Sequence, residues 1–71
     1  MEFDYSKLKG RIVEILGSQS KLAEMMGISD NALSRKLNNF TRFSDTDIMK
    51  IIEILKINVE DIGIYFYTLK V

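Results

Sequence analysis

Gly27-Ile28-Ser29 limits the folding of this chain more than any other stretch. Before it, Leu22, Met25 and Met26 recur at the three- and four-residue spacing of one helix face. A glycine just past such a run can take the left-handed conformation that ends a helix without a Cβ clash. Ser29 then offers its hydroxyl oxygen to a free amide of the next helix. Ile28 precedes this cap and Leu33 holds the fourth helical position, a hydrophobic staple that sets how the second helix enters. Two short helices joined by so tight a turn make a helix-turn-helix pattern, here across Gln19 to Asn39.

The second of these helices spans Asp30 to about Asn38. At 100° per residue Leu33 and Leu37 share one side, while Asn31, Ser34, Arg35 and Asn38 line the other with no large apolar residue among them. Asn pairs well with adenine and Arg with guanine, each in bidentate fashion. A solvated polar face, which any surface helix has, is the plainer reading of the same stripe. Upstream, Gly17 ends helix one and Ser18 caps helix two, so Gln19 at its first position points an amide toward any anion held by the free N–H groups there. Downstream, Lys36, Asn38, Asn39, Thr41 and Arg42 supply further candidate phosphate contacts, and the two asparagines suit the end of the helix because Asn tolerates left-handed geometry.

Ser18-Gln19, Leu22-Ala23, Gly27-Ile28-Ser29, Leu33-Ser34 and Asn38 fall where the Cro/cI-type (lambda-repressor-like) helix-turn-helix family has its T/S-Q, L-A, G-I-S, L-S and N. The stretch resembles that family, and the whole chain is similar to a group of small phage-type regulators of about this length. The resemblance implies an all-α, compact five-helix lambda-repressor-like DNA-binding domain. In it Gln19 would hold a phosphate, and Asp30, Asn31, Ser34 and Arg35 would face the major groove. Asp30 departs from the neutral polar residue expected at the first helical position; its charge repels phosphate, though it suits the helix N-terminus or accepts from cytosine.

Seventy-one residues allow one domain, 1–71, with the helix-turn-helix at about 18–39 and a tail at 67–71. So short a chain buries only about 60% of its unfolded surface, so its core must be well packed or shared. The 46% hydrophobic content is enough to drive folding. Cysteine and histidine are both absent, which removes thiolate chemistry, the commonest general base and the commonest metal ligands. No apolar run approaches the ~20 residues of a membrane span, and no signal peptide is evident, so a cytoplasmic protein without cofactor, metal or small-molecule substrate is expected. Net charge is zero, which weighs against strong DNA binding, because phosphate contacts supply much of that affinity. The charge is unevenly spread: residues 1–42 carry seven Lys/Arg against five acids, and residues 43–71 carry three against five.

Along the chain, Asp4 is placed to cap helix one with Phe3 and Leu8 as its staple. Tyr5, Leu8, Ile12, Ile15 and Leu16 share its inner face, so it runs to about Leu16. Gly10 costs this helix roughly 1 kcal/mol against alanine, and close approach of another backbone would account for it. Met25 and Met26 read as core filler, as do Phe40 and Phe43. Ser44 opens helix four, with Asp47 completing a capping box one methylene short and Phe43 and Ile48 as the staple. Asn58 caps helix five. Phe66 closes the core, and the alternating residues after it suit either a strand or packing on another molecule. Ile64, Tyr65, Tyr67, Leu69 and Val71 are more apolar than a terminus needs, and exposed apolar patches mark interfaces, so a homodimer contact is expected there.

Two functions compete. The first is a sequence-specific DNA-binding transcriptional regulator, dimeric on a palindromic operator of double-stranded DNA, with recognition helices roughly 34–36 Å apart. The second is a phage anti-repressor, a protein-binding module that keeps the helix-turn-helix scaffold and docks onto another repressor. Neutral charge, Asp30 and the apolar tail suit the second. An enzyme is not expected, since a small helical bundle without His or Cys offers neither pocket volume nor a reactive cluster.

Overall fold

Serine hydroxyls start three of the helices. In the computed structural model, which describes residues 2–71, Ser18, Ser29 and Ser44 stand in extended conformation and accept hydrogen bonds from the amides of Lys21 (3.2 Å), Ala32 (3.0 Å) and Asp47 (3.1 Å). The Ser44 amide donates in return to Asp47 Oδ2 at 3.0 Å, so the capping box closes although Asp is shorter than the usual Glu. The order is α1 (Ser6–Leu16), α2 (Gln19–Met26), α3 (Asp30–Leu37), α4 (Asp45–Leu55), a 3₁₀ turn (Val59–Asp61) and α5 (Ile62–Phe66). The fold is thus all-α with five helices, as expected. Gly17 and Gly27 end α1 and α2 with φ of 89° and 74°, and each N–H turns back onto the preceding helix.

The core is one cluster to which every helix contributes. Leu8 and Ile12 come from α1, Leu22, Ala23 and Met26 from α2, and Leu33 and Leu37 from α3; Ile48, Ile51, Ile52 and Leu55 come from α4 and Phe66 from α5. Helix α1 packs on α2, α4 and α5, and α2 packs on α3 and α4. Ala23, almost fully buried, keeps the side chain between α2 and its neighbours small. The Cα radius of gyration is 11.1 Å, the about 11 Å of a compact domain of this length. The core therefore closes within one chain.

Arg11 ties α1 to the end of α4. Its Nε donates to the Leu55 carbonyl at 3.0 Å and its Nη2 to the Lys56 carbonyl at 3.1 Å, while Nη1 meets Glu14 at 2.9 Å. The last carbonyls of a helix lack partners within it, and here a cation supplies them.

Several local expectations change in the tertiary structure. Asp4 does not cap α1 directly: the helix starts at Ser6, and Asp4 Oδ1 accepts from both the amide and the hydroxyl of Ser6. Asn58 makes no side-chain cap, and helix five begins as the 3₁₀ turn. Nothing lies within 4 Å of a Cβ built at Gly10, so no backbone approaches it. Met25 is 50% exposed, because Leu22, Ala23 and Met26 already fill the inner face of α2. Ile15, at the end of α1, also reaches solvent.

The ends of the chain meet. The Asp4 amide donates to the Thr68 carbonyl at 2.7 Å and the Lys70 amide to the Glu2 carbonyl at 3.0 Å, around an antiparallel bridge between Phe3 and Leu69. The tail is extended, as its alternation allowed, and its first partner is the chain's own N-terminal arm. Among the described residues no longer strand forms.

Candidate functional site: the α3 face and the loop after it

Helix α3 is held by Leu33 and Leu37, both buried, and it turns its other side outward. Asn31 and Arg35 are exposed there, and Ser34 is half-buried. Asp30 at the helix start accepts from the Ser20 hydroxyl at 3.0 Å, a link across the turn between α2 and α3. Gln19 is exposed at the first position of α2. These residues sit where the sequence places them.

The residues after Arg35 are more engaged with the protein itself. Lys36 Nζ lies 3.0 Å from Asp47 Oδ2 and 3.1 Å from the Arg42 carbonyl, with only 19% of either charged side chain exposed. Burial pushes the Asp47 carboxyl up, but the Ser44 N–H, the Lys36 ammonium and the Ser44 hydroxyl together hold it below the ordinary aspartate range. Asn38 Nδ2 folds back to the Ser34 carbonyl and hydroxyl, at 2.9 and 3.2 Å. Asn39 takes the left-handed conformation (φ 67°) and turns its amide onto the N-terminal arm. Its Oδ1 accepts from the Phe3 amide at 2.9 Å, and its Nδ2 donates to the Phe3 carbonyl at 3.0 Å, as a neighbouring strand would. The Arg42 guanidinium lies over the Phe3 ring, 5.2 Å from its centre. Thr41 is exposed.

Phe40, like Met25, lies outside the core to which its hydrophobicity assigns it. Expected in the core, it is 72% exposed. Its amide donates to the Arg35 carbonyl, and the left-handed turn at Asn39 swings its ring out of the core. The Arg35 guanidinium covers that ring at 5.5 Å. The face thus carries an aromatic–arginine pair at the end of α3. The one available signal was the two asparagines before Phe40, which permit a reversal of the chain.

Beside this loop lies a hollow of about 210 Å³, lined by Phe3, Tyr5, Arg42, Phe43, Ile48, Phe66 and Tyr67. Its rings meet edge to face: Tyr5 with Phe43 at 5.3 Å, Phe43 with Phe66 at 5.4 Å and Phe3 with Tyr67 at 5.6 Å. Burial raises the Tyr5 phenol above its usual value, and the nearby Arg42 charge opposes that rise. Of the tail residues expected at an interface, Tyr65 is partly buried against the core, while Ile64, Tyr67, Leu69 and Val71 remain exposed. No group of three or more Asp and Glu side chains able to hold a metal occurs among the described residues. No helix among them is long and apolar enough to cross a membrane.

No curated protein matches the sequence. Among solved structures, the chain is similar to the modulator of repression of the temperate bacteriophage TP901-1 from Lactococcus lactis, determined in solution. The two are 41% identical, the match covers 100% of this chain and 96% of that one, and the TM-score is 0.84. Residues 1–69 match the model of the family described as protein of unknown function DUF739, and the chain belongs to that family.

Proposed function

We propose that this protein modulates a phage repressor by docking on the repressor itself, using the α3 face and the loop after it. The observation that carries this reading is the 41% identity, over the whole chain, to a phage modulator of repression. Charge supports it. Of the six phosphate contacts expected from sequence, Lys36 is paired with Asp47, and the amides of Asn38 and Asn39 are bonded within the fold. That leaves Gln19, Thr41 and a single cation, Arg42, unpaired among the described residues, on a chain of zero net charge, where DNA affinity calls for several free cations. What the face offers instead is Phe40 with Arg35, and aromatic and arginine side chains dominate protein-protein hot spots. Asn31, Ser34 and Asp30 would frame that pair with hydrogen-bonding groups.

The competing reading keeps Asn31, Ser34, Arg35 and Asp30 as base readers and has the protein act as a homodimer on an operator. The exposed position of Asn31 and Arg35 on α3 is what favours it. The test is to measure binding to a purified phage repressor and, separately, to duplex DNA from around the protein's own gene, each over a range of salt. Repressor binding with a shallow salt dependence is expected, weakened about tenfold or more by Phe40→Ala and by Arg35→Ala (about 1.4 kcal/mol or more). Binding to the duplex alone, with a slope near −0.9 per phosphate contact, would overturn the proposal in favour of DNA reading.

A further inference from the structure

The hollow between the arm, the loop after α3 and the tail lies apart from the Phe40–Arg35 pair. It is built almost wholly of aromatic rings: Phe3, Tyr5, Phe43, Phe66 and Tyr67, with Ile48 beside them. Two features set it apart from a packing defect. Arg42 lines it with its guanidinium against the Phe3 ring, and it forms no ion pair among the described residues. The Tyr5 ring is buried, yet its hydroxyl has no partner among the described residues and is not sealed from solvent. A ring-walled hollow of mixed polarity, with a free cation and a free hydroxyl, accepts a group that is apolar at one end and anionic at the other. Its volume, about 210 Å³, falls below the about 300–1,000 Å³ of small-molecule sites and suits a single side chain. It also adjoins the α3 face, because Asn39, Arg42 and Phe43 belong to the loop that leaves α3.

Resting on the repressor-docking reading, we propose that the hollow receives one aromatic side chain of the partner protein, and that Arg42 binds a carboxylate next to it in the partner sequence. An inserted ring continues the edge-to-face contacts already made between Tyr5, Phe43 and Phe66. The guanidinium offers a planar pair of donors, the geometry that carboxylates match. Lys36 holds the Arg42 carbonyl and so fixes the loop that carries this guanidinium.

Amide-resolved NMR titration of the full chain with two capped dipeptides, acetyl-Asp-Phe-amide and acetyl-Lys-Phe-amide, tests the site without any repressor. The acidic probe is expected to give saturable shifts confined to Phe3, Tyr5, Arg42, Phe43 and Tyr67, and to bind several-fold more tightly than the basic one. Arg42→Gln removes that preference, and Arg42→Lys keeps most of it. Equal shifts from both probes, scattered shifts or none at millimolar concentration overturn the proposal. In a parallel arm, Arg42→Glu is expected to weaken repressor binding about tenfold with an unchanged melting temperature; binding within twofold of wild type overturns the proposal. If wild type binds the repressor but the dipeptides fail, this inference falls and the docking reading stands. If the acidic dipeptide binds as described but no repressor does, the docking reading falls and the selectivity of the hollow remains.

Discussion

Gly10 lies in the middle of α1 with ordinary helical geometry and open space where a Cβ would stand. Alanine there loses less backbone entropy on folding and meets no obstacle, so Gly10→Ala is expected to stabilise the protein by about 0.5–1 kcal/mol. Thermal unfolding of the two proteins side by side checks it. Gly27 is the opposite case. Space is open there too, but φ is 74°, and an L-residue is strained in that conformation by about 1–2 kcal/mol. Gly27→Ala should lower stability by that amount and so reverse the sign seen at Gly10. Asp47 carries a pH dependence. Its folded pKa is held below the ordinary 3.8, so the stability it contributes is complete above that value and is lost as the pH falls through the lower folded one. Denaturant titrations across the acid range should show this limb in the wild type and a shallower one in Asp47→Asn. That variant should also lose about 1 kcal/mol at neutral pH, because a cap partner and a partly buried ion pair go together.

At the scale of elements, the joints between helices are polar and specific. Arg11 holds two carbonyls at the end of α4 from its place on α1. Replacing it with methionine keeps the apolar stem and removes both bonds, which is expected to cost about 1–2 kcal/mol by chemical denaturation. The N-terminal arm is held on both sides, by the tail through the Phe3–Leu69 bridge and by the Asn39 amide. Asn39→Gly, which keeps the left-handed turn without strain, should therefore speed hydrogen exchange at the Phe3 amide, with little change at the amides of α4, because only the arm loses a partner. The local signals for the helices were strong and agree with what forms: Ser18, Ser29 and Ser44 all cap, and Gly17 and Gly27 both terminate. Helix five departs from its local signal, since Asn58 makes no side-chain cap and the segment starts as a 3₁₀ turn.

Across the whole molecule, the core draws on all five helices and closes without a second chain. Sedimentation of this 71-residue chain is expected to give a monomer of 8.2 kDa. A dimer would instead assign Ile64, Leu69 and Val71, which are exposed, to a self-interface. Neutrality is also a property of the whole: the excess of bases in the first 42 residues is partly cancelled in space when Lys36 meets Asp47 across the α3–α4 loop. A surface so balanced gives little long-range attraction to a polyanion and leaves recognition to short-range contacts.

By itself the sequence determined the helices, the three serine caps and most of the inward faces, because those signals act over three or four residues of one chain segment. The spacing of Leu22 and Met26, of Leu33 and Leu37, and of Ile48, Ile51, Ile52 and Leu55 was sufficient to place the core. Only the tertiary structure decided which polar side chains stay free. Lys36 and Asn39 are candidate phosphate ligands in any linear reading, and their actual partners, Asp47 and Phe3, approach only when α4 and the arm fold against the loop. Phe40 shows the converse: an aromatic residue that local hydrophobicity assigns to the core is turned outward by one left-handed residue before it. Local periodicity cannot encode these outcomes, since each depends on a contact between segments that the pattern of neither one specifies.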